Sequence, residues 1–430
     1  MIFKIQIIFY LLRIKTGRYF YEKNLFSIEE KRKKRLKYNL ISSPFYKDLI
    51  KVDFNLNNFP IIEKNTFMSN FDKINTLSLK LDECMEVAIK SEKTRDFSPM
   101  IKNVAIGLST GTSGNRGIFL VSSKERAIWV AGILDRVIGF SFKKRKVAFF
   151  LRANNNLYQA TQSKLLQFTF FDIFQSFERH LQNLNILKPT IIVGQPSVLC
   201  LIAKAVEKRE ITISPQKIIS VAEVLTDEDR IYLEKVFNQT IHQVYQCTEG
   251  FLGATCEYGT IHFNEDFIQI EKKFIDKEQL KFHPIITDYL RSSQPVVRYE
   301  LNDIIIEKKN CQCGSKMMAI EKIEGRSDEI LKFINNNEES VELFPDLFRK
   351  TIVLSDVNIQ DYCLVQTEPK KLSLYIKSED IESFNRSKRA IEKVLSDNYI
   401  LNVLVEQEFN NPFEMGIKKR RIRNAIYQPN

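Results

Sequence analysis

The sequence predicts an α/β protein with two domains, a large layered α/β domain followed by a small, mobile α+β domain. A chain of 430 residues is longer than one hydrophobic core usually accommodates. From Val104 onward, short apolar segments alternate with amphipathic ones, which is typical of buried parallel strands separated by helices. After about Gly325 the pattern changes to paired strands followed by a helix. We therefore expect a first domain at residues 1–326 and a second at residues 327–430.

The N-terminal segment from Ile2 to Leu12 (IFKIQIIFYLL) predicts an amphipathic docking helix. It is interrupted by Lys4 and Gln6 and is much shorter than the roughly 20 apolar residues that a membrane span needs. A signal peptide would in addition need a cleavage site of small residues. We therefore expect neither a membrane span nor an export signal.

Individual strands and helices follow from the same patterns. In the first domain, buried strands are predicted at Lys146–Leu151, Thr190–Gly194, Ile218–Leu225 and Ile241–Cys247, and a helix at Pro196–Lys208. In the second domain, strands are predicted at Cys363–Glu368, Lys371–Lys377 and Leu401–Glu406, and a helix at Ile381–Leu395.

Composition and charge indicate which classes of protein the chain could belong to. Hydrophobic residues make up 44% and charged residues 27%, which is typical of soluble globular proteins. The net charge is +11, but the basic residues are scattered among 53 acidic ones, so a solvated surface is favoured over a nucleic-acid-binding one. Seven cysteines without an export signal indicate a reducing compartment, the cytoplasm, and no disulfides are expected.

The segment from Leu108 to Gly117 (LSTGTSGNRG) is a candidate phosphate-binding loop. Its glycines and hydroxyl residues would allow backbone amides and hydroxyls to surround a polyphosphate. It is not an ordinary P-loop, because no Lys followed by Ser or Thr closes it. Taken alone, the segment is compatible with a flexible surface turn.

This loop and four later segments resemble, in order, the motifs of the adenylate-forming superfamily, whose phosphate loop is often written TSGTTGKP. The later segments are YQCTEG (Tyr245–Gly250), RYELND (Arg298–Asp303), EGRSDE (Glu324–Glu329) and NPFEMGIKKRR (Asn411–Arg421). Within the superfamily the chain resembles the branch of phenylacetate-coenzyme A ligases, archaeal enzymes that adenylylate a deazaflavin coenzyme, and CapK-like proteins. The resemblance covers almost the whole chain.

The resemblance implies a binding site for ATP and Mg²⁺, with a role for each matching residue. The β and γ phosphates are assigned to Ser109, Thr110, Gly111, Thr112, Ser113 and Gly114. Glu249 would hold Mg²⁺, and Thr248 would bind the α-phosphate. Adenine would lie on Tyr245 beside the backbone of Ala222 and Glu223. Asp303 would accept the ribose hydroxyls, and Arg326 would reach the ribose or a phosphate.

The last motif provides the catalytic lysine of the superfamily. Lys418 has the family spacing from Pro412, and its ammonium would neutralise the substrate carboxylate and the α-phosphate. Lys419 is the alternative, because Ile417 replaces the glycine that usually precedes the lysine. Asp328 matches the hinge about which the small domain rotates.

Three departures from the family pattern bear on function. Asn115 stands where the phosphate loop usually has a lysine. Leu301 and Asn302 replace Thr and Gly, and the segment from Phe333 to Ser340 lacks a glycine that often lines a pantetheine tunnel. Adenylation remains the expectation, whereas coenzyme A as the acceptor is left open.

A separate group of residues predicts a structural zinc site. Cys256, His262, Cys311 and Cys313 could supply three thiolates and one imidazole, a closed tetrahedral set. The alternative is a pair of buried cysteines and two incidental residues. Cys247, inside an acidic motif, is a competing ligand.

The resulting expectation is an ATP-dependent ligase that converts a carboxylic acid, aryl or fatty, to an acyl adenylate. The acyl group would then pass to a thiol of coenzyme A or of a carrier protein. One alternative ends with AMP on a coenzyme or hydroxyl acceptor, and another is a non-catalytic nucleotide or nucleic-acid binder. No nucleic-acid partner is expected, and a homodimer is left open.

Overall fold

The structure is a computed structural model that describes residues 2–430 except 24–26, 51–53, 110–115, 140–142, 152–164, 174, 277, 279, 414–419 and 427–430. The chain divides into two compact units. The first holds the described residues of 1–110, 116–301 and 306–322. The second holds residues 302–305 and the described residues of 323–430.

The first unit begins with helices that precede and flank a small sheet. They are α1 (Ile2–Glu22), α2 (Ser27–Leu40), α3 (Lys64–Ser69), α4 (Phe71–Ile74) and α5 (Leu81–Thr94). The sheet is antiparallel and has the order β1 (Met100–Ile101), β2 (Val104–Leu108) and β3 (Ile118–Val121). Its inner face packs on α4 and α5 through Leu120, Phe71 and Cys84, all of them buried.

In the part of the chain that the structure describes, twelve strands form one large sheet. Its parallel part has the order β5 (Leu166–Asp172), β4 (Arg145–Leu151), β6 (Ile191–Gly194), β7 (Lys217–Ser220) and β8 (Ile241–Cys247). Antiparallel strands β9 (Gly250–Thr255) and β10 (Ile261–Phe263) follow β8. A further antiparallel group contains β11 (Ile268–Phe274), β12 (Lys281–Asp288) and β13 (Tyr299–Glu300). The remaining strands are β14 (Asp303–Lys308) and β15 (Ala319–Arg326).

Helix α6 (Ser123–Ile133) packs on α1 through Ala127 and Val130. Among the described residues, α7 (Phe177–Leu187), α8 (Pro196–Glu207) and α9 (Asp227–Phe237) bury apolar faces against the parallel strands. Their starts follow from local sequence: Ser122 and Glu125 form a capping box at α6, and Pro196 occupies the first turn of α8. Fully buried residues such as Ala148 and Ile218 on the strands meet Leu199 of α8. This arrangement confirms the predicted layered α/β class. The sheet is mixed and not mostly parallel as predicted, because the strands after β8 pair antiparallel through tight turns.

The second unit has an α+β architecture with its own core. Its strands are β16 (Leu331–Ile334), β17 (Ser340–Leu343), β18 (Asp361–Glu368), β19 (Lys371–Lys377), β20 (Leu404–Glu408) and β21 (Ile422–Asn424), and its helices are α10 (Pro345–Ser355) and α11 (Ser383–Asp397). The sheet order is β20-β19-β18-β21, with β16 and β17 paired separately. Phe348, Leu364 and Ile391 are fully buried in this core.

Candidate active site

The carboxyl end of β7 carries a strained turn at the predicted adenine-binding segment. The amide of Glu223 donates to the carbonyl oxygen of Val221 over 2.9 Å, and Ala222 between them has a φ of 70°. This is a γ-turn with positive φ at its centre, a rare conformation for a residue with a side chain. Ser197, in the first turn of α8, donates to the Glu223 carboxylate over 3.1 Å. Ligands of parallel sheets bind at the carboxyl ends of strands, so the strain lies where function is expected.

The next strand ends in a two-residue hairpin that presents the acidic motif. Cys247 on β8 pairs with Gly250 on β9, so Thr248 and Glu249 form the tip. The Thr248 hydroxyl donates to Glu249 Oε2 over 2.8 Å. Burial opposes ionisation of Glu249, but hydrogen bonds from Thr248, Cys247 and Tyr299 hold the pKa of this carboxyl below its ordinary value. The tip therefore presents an ionised carboxylate beside a hydroxyl.

A buried polar network donates to the backbone of this hairpin and stabilises it. Arg291 donates from Nη1 to the carbonyl oxygen of Thr248 over 2.7 Å and from Nη2 to Gln294 Oε1 over 3.0 Å. Asp288 accepts from the amides of Leu290 (2.7 Å) and Arg291 (3.1 Å).

The same loop is bound to the start of α6. Glu125 accepts the amides of Ser292 (2.7 Å) and Ser293 (2.8 Å), in addition to its role in the capping box. Sequence reasoning missed these residues, because no motif marks them and only the fold brings residue 125 to residue 292.

The neck of the phosphate loop is closed by hydrogen bonds between Ser109 and Gly117. The amide of Ser109 donates to the Gly117 carbonyl oxygen (2.8 Å), and the amide of Gly117 donates to Ser109 Oγ (2.7 Å). Arg116 donates to the Ser109 carbonyl oxygen and forms an ion pair with Glu92 at 2.7 Å. The predicted phosphate ligands Thr110, Gly111, Thr112, Ser113 and Gly114 lie outside the described residues.

A cleft joins this neck to the hairpin tip. Gly117, Thr248, Glu249 and Arg291 line it, and so does Lys64 at the start of α3. The Cε atom of Lys64 lies 3.4 Å from the position that a Cβ atom would take on Gly117. Sequence reasoning missed Lys64, although Asn115 in place of the loop lysine was a signal that a cation comes from elsewhere.

The other predicted nucleotide ligands are placed as follows. Tyr245 is buried on β8, with its ring centroid 5.9 Å from that of Phe263. In the second unit, Arg326 lies beside Asp303, with Nε 3.4 Å from Oδ1. The structure thus brings together the two residues assigned to the ribose.

The predicted catalytic lysine lies outside the described residues, as do Lys419 and the side chain of Asp328. The residue that follows Lys419 is described. Arg420 donates from Nε to Glu329 Oε1 over 3.0 Å, and Arg349 contacts the other oxygen over 2.9 Å. Glu329 is buried, so this anchor fixes the chain directly after the lysine pair to the turn that follows Arg326.

The four predicted zinc ligands form one cluster in the first unit, with their ligand atoms within 4.8 Å of one another. Cys256 Sγ is 3.7 Å from Cys311 Sγ, and Cys313 Sγ is 3.3 Å from His262 Nε2. Thiolates at about 2.3 Å from one tetrahedral Zn²⁺ would stand about 3.8 Å apart, so the spacing fits the ion. Cys247 is not in this cluster and lies in the hairpin at the end of β8.

The surroundings of the cluster orient its ligands. His262 Nδ1 faces the carbonyl oxygen of Met317 at 2.8 Å, and a carbonyl can only accept, so Nδ1 carries a proton. The lone pair of the neutral ring is then on Nε2, toward the thiols. Gly259 and Gly314 have positive φ and shape the two turns that carry the cysteines. Burial opposes ionisation of Cys311, but hydrogen bonds from the Cys313 amide and His262 lower the pKa of its thiol to about 6.

Comparison with known proteins places this geometry in context. No protein-family model matches the chain. The protein CapK of Staphylococcus aureus is 23% identical over 439 residues, covering 94% of this chain and 90% of CapK.

Solved structures share the fold. A 2-hydroxyisobutyryl-CoA ligase in the post-adenylation state, in complex with 2-HIB-AMP, matches with a TM-score of 0.64 and 14% identity, covering 92% of this chain and 89% of the ligase. The amide bond synthetase McbA from Marinactinospora thermotolerans matches with a TM-score of 0.52 and 10% identity, covering 74% of this chain and 68% of that one.

The matches to CapK and to the 2-hydroxyisobutyryl-CoA ligase extend over both units of the chain. No helix among the described residues is long and apolar enough to cross a membrane. The chain therefore shares the fold of these solved ligases, and its sequence is similar to that of CapK over most of its length.

Proposed function

We propose that the protein uses ATP to convert a carboxylic acid to an acyl adenylate with release of pyrophosphate, and then transfers the acyl group to a thiol. The observation that carries this proposal is the cleft in which Lys64, the closed neck of the phosphate loop and the Thr248–Glu249 hairpin meet. It combines a cation, hydroxyls and an ionised carboxylate within one cleft, which are the groups that a polyphosphate with a divalent cation requires.

Each group has a chemical role in adenylation. The substrate carboxylate attacks the α-phosphorus and pyrophosphate leaves, so negative charge accumulates around the phosphoryl oxygens. We assign Lys64 and the loop residues to the β and γ phosphates, and Thr248 to the α-phosphate. Mg²⁺, which would shield the charge of the phosphates, suits the ionised Glu249.

Binding of the nucleoside part rests on the remaining residues. We assign adenine to the Val221–Glu223 turn beside Tyr245, and the ribose to Asp303 and Arg326. As part of the same proposal, residues 1–326 bind ATP and the acid, and residues 327–430 form a lid that carries the catalytic Lys418.

Zinc is proposed as a structural component. Three thiols and an imidazole with its Nδ1 proton held by Met317 would fill all four positions of a tetrahedral ion. A closed set leaves no position for substrate, so the ion would stabilise the first unit by connecting the β9–β10 turn to the segment after β14.

The acid and the acceptor are the finer parts of the proposal. The 2-hydroxyisobutyryl-CoA ligase and an anthranilate-CoA ligase, the latter matching with a TM-score of 0.50 and 14% identity, hold acyl adenylates of a small hydroxy acid and an aryl acid. An aryl or fatty acid and a thiol of coenzyme A or a carrier protein are therefore the favoured substrates. Nucleotidyl transfer that leaves AMP on a coenzyme or hydroxyl acceptor is the competing reaction.

The proposal is tested by acid-dependent exchange of pyrophosphate into ATP, measured over a panel of aryl, hydroxy and fatty acids. We expect at least one acid to support exchange in the parent protein, and Glu249→Gln to reduce that exchange by about 10²-fold. Product masses after addition of coenzyme A then separate the two acceptor classes, since only thioester formation releases AMP. Exchange that is independent of any acid, or equal in Glu249→Gln, would contradict the proposal.

A further inference from the structure

Helix α1 carries two apolar faces, of which only one is used by the fold. Ile7 and Ile14 are buried, and Ile7 packs with Ala127 and Val130 of α6. On the opposite face stand Ile5, Ile8, Phe9 and Leu12, each between 56% and 61% exposed. The spacing of i, i+3, i+4 and i+7 places these four side chains on one stripe.

The stripe continues along the helix. Tyr19 follows Leu12 by about two turns of the helix and is 60% exposed on the same side. Isolated exposed apolar residues are ordinary on protein surfaces, whereas a continuous row of large ones marks an interaction surface. We refer to Ile5, Ile8, Phe9, Leu12 and Tyr19 as the outer stripe.

The charges beside the outer stripe have one sign. Lys4, Arg13, Lys15 and Lys23 are exposed. At 3.6 residues per turn, Lys4 and Lys15 lie on one flank of the stripe and Arg13 lies on the other. The one acidic residue of the helix, Glu22, is engaged elsewhere: its carboxylate accepts from the Ser315 hydroxyl (2.5 Å) and the Lys316 amide (2.9 Å).

The helix is fixed to the first unit, so the outer stripe stays presented. Arg18 forms an ion pair with Asp135 at 3.2 Å, and Glu22 ties the last turn of the helix to the segment of Ser315 and Lys316. A helix of 21 residues is about 31 Å long. Apolar rows between basic flanks on such a helix match the boundary between the headgroups and acyl chains of an anionic lipid bilayer.

We propose that α1 docks the protein on the surface of an anionic membrane, with the outer stripe in the headgroup region and the flanking cations on the lipid phosphates. Charge favours this occupant over a second copy of the chain. A symmetric pair would bring the same cations of both copies together around the stripe. The proposal is independent of the reaction assigned to the active site, because α1 contributes no residue to the cleft.

The test is flotation of the full chain with vesicles of phosphatidylcholine alone or with about one third phosphatidylglycerol. We expect at least a 10-fold higher bound fraction on the anionic vesicles, and a loss of most of it when salt rises from about 0.05 to 0.5 M. The variant Ile8→Gln with Leu12→Gln should bind about 10-fold less.

A matched control changes exposed isoleucines on other helices. Ile186 on α7 and Ile231 on α9 are 80% and 60% exposed, so Ile186→Gln with Ile231→Gln removes the same kind of surface without touching α1. This variant should bind vesicles like the parent. Trp129, the single tryptophan of the chain, belongs to the apolar cluster under α1, so an unchanged emission spectrum shows that the helix stays seated in each variant.

Three results would overturn the proposal. Equal binding of the parent and the Ile8→Gln with Leu12→Gln variant to anionic vesicles would show that the outer stripe takes no part in binding. Failure of the parent to bind these vesicles would exclude membrane docking. A dimer in sedimentation velocity that Ile8→Gln with Leu12→Gln dissociates would assign the stripe to a second copy instead.

Discussion

The guanidinium of Arg291 donates a hydrogen bond of 2.7 Å to the carbonyl oxygen of Thr248, which couples a buried loop to the hairpin that presents Glu249. The same side chain reaches Gln294, so its two nitrogens fix the loop and the hairpin together. A lysine could supply a charge at this place but lacks the planar group that makes both contacts.

We expect Arg291→Lys to lower pyrophosphate exchange by about 10-fold, because a hydrogen bond from a charged group contributes about 1.5–3 kcal/mol. The apparent affinity for Mg²⁺ should fall as well, since Glu249 loses its support. Arg136→Lys is the matched control, because Arg136 is a buried arginine whose guanidinium is paired with Asp266 at 2.6 Å. Equal losses of exchange per folded molecule in the two variants would argue against a positioning role.

The buried carboxyl of Asp288 predicts how the stability of the fold depends on pH. Burial raises the pKa of its carboxyl to about 6 from 3.8, although the amides of Leu290 and Arg291 lower it. The pKa of this carboxyl is higher in the folded chain than in the unfolded chain, so its protonated form stabilises the fold. This contribution is fully present below about pH 4 and is lost as the pH rises through about 6. We expect Asp288→Asn to gain stability relative to the parent by about 2–3 kcal/mol between about pH 4 and pH 8.

Thermal unfolding over that pH range measures this difference. Asp96 provides a control of opposite sign, because hydrogen bonds from Ser98 hold the pKa of this exposed carboxyl below its ordinary value. A stability difference between Asp288→Asn and the parent that does not change with pH would show that Asp288 is ionised throughout.

Lys64 lines the cleft beside Gly117, and we propose that it takes the place of the usual loop lysine. We expect Lys64→Ala to raise the KM for ATP by about 10-fold with a smaller change in kcat, since it removes an interaction that both the bound substrate and the transition state make. Lys80→Ala is the control, because Lys80 forms only a surface ion pair with Asp72. An unchanged KM in Lys64→Ala would leave the phosphates to the loop residues alone.

Substitution can distinguish Lys418 from Lys419 as the catalytic lysine. We expect Lys418→Ala to lower adenylation by about 10²-fold or more while ATP binding persists, as when a charge acting on the transition state is removed. Lys419→Ala should retain most of the exchange activity. The reverse result would move the assignment by one residue, and full activity of both variants would remove the motif from catalysis.

The cysteine and histidine cluster is tested by metal content and stability together. We expect about one zinc per chain in protein purified without a metal-chelating tag, and Cys311→Ser should lower both the zinc content and the melting temperature. Cys363→Ser, at a buried cysteine of the second unit, controls for the loss of a thiol. Less than about 0.2 zinc per chain, with Cys311→Ser melting like the parent, would return the cluster to buried thiols.

Much of the fold was predictable because local patterns and burial agree. The strand predicted at Ile241–Cys247 has those bounds in the structure, and so does the strand at Lys371–Lys377. The strand predicted at Ile218–Leu225 ends at Ser220, because the following residues form the γ-turn at Ala222. Apolar residues in that turn imitate a strand in the sequence, and only the backbone distinguishes them.

The candidate site was predictable only in part. Thr248, Glu249 and the cysteine and histidine cluster belong to rare residue combinations with recognisable chemistry. Lys64 and Arg291 are common residue types far from the motifs in sequence, and their contribution depends on α3 and the loop after β12 meeting at one cleft. Such residues carry no local signal, since their role arises from tertiary contact alone.

The hydrogen-bonded neck between Ser109 and Gly117 has a consequence for how the phosphate loop can change. The last strand pair before the neck joins Leu108 to Ile118, so the two hydrogen bonds close a ring that begins where the ladder ends. Changes of length or sequence within the ring alter its closure entropy only slowly and do not shift the register of β2 and β3. The neck therefore separates the alignment of the supporting strands from the sequence of the residues between Ser109 and Gly117.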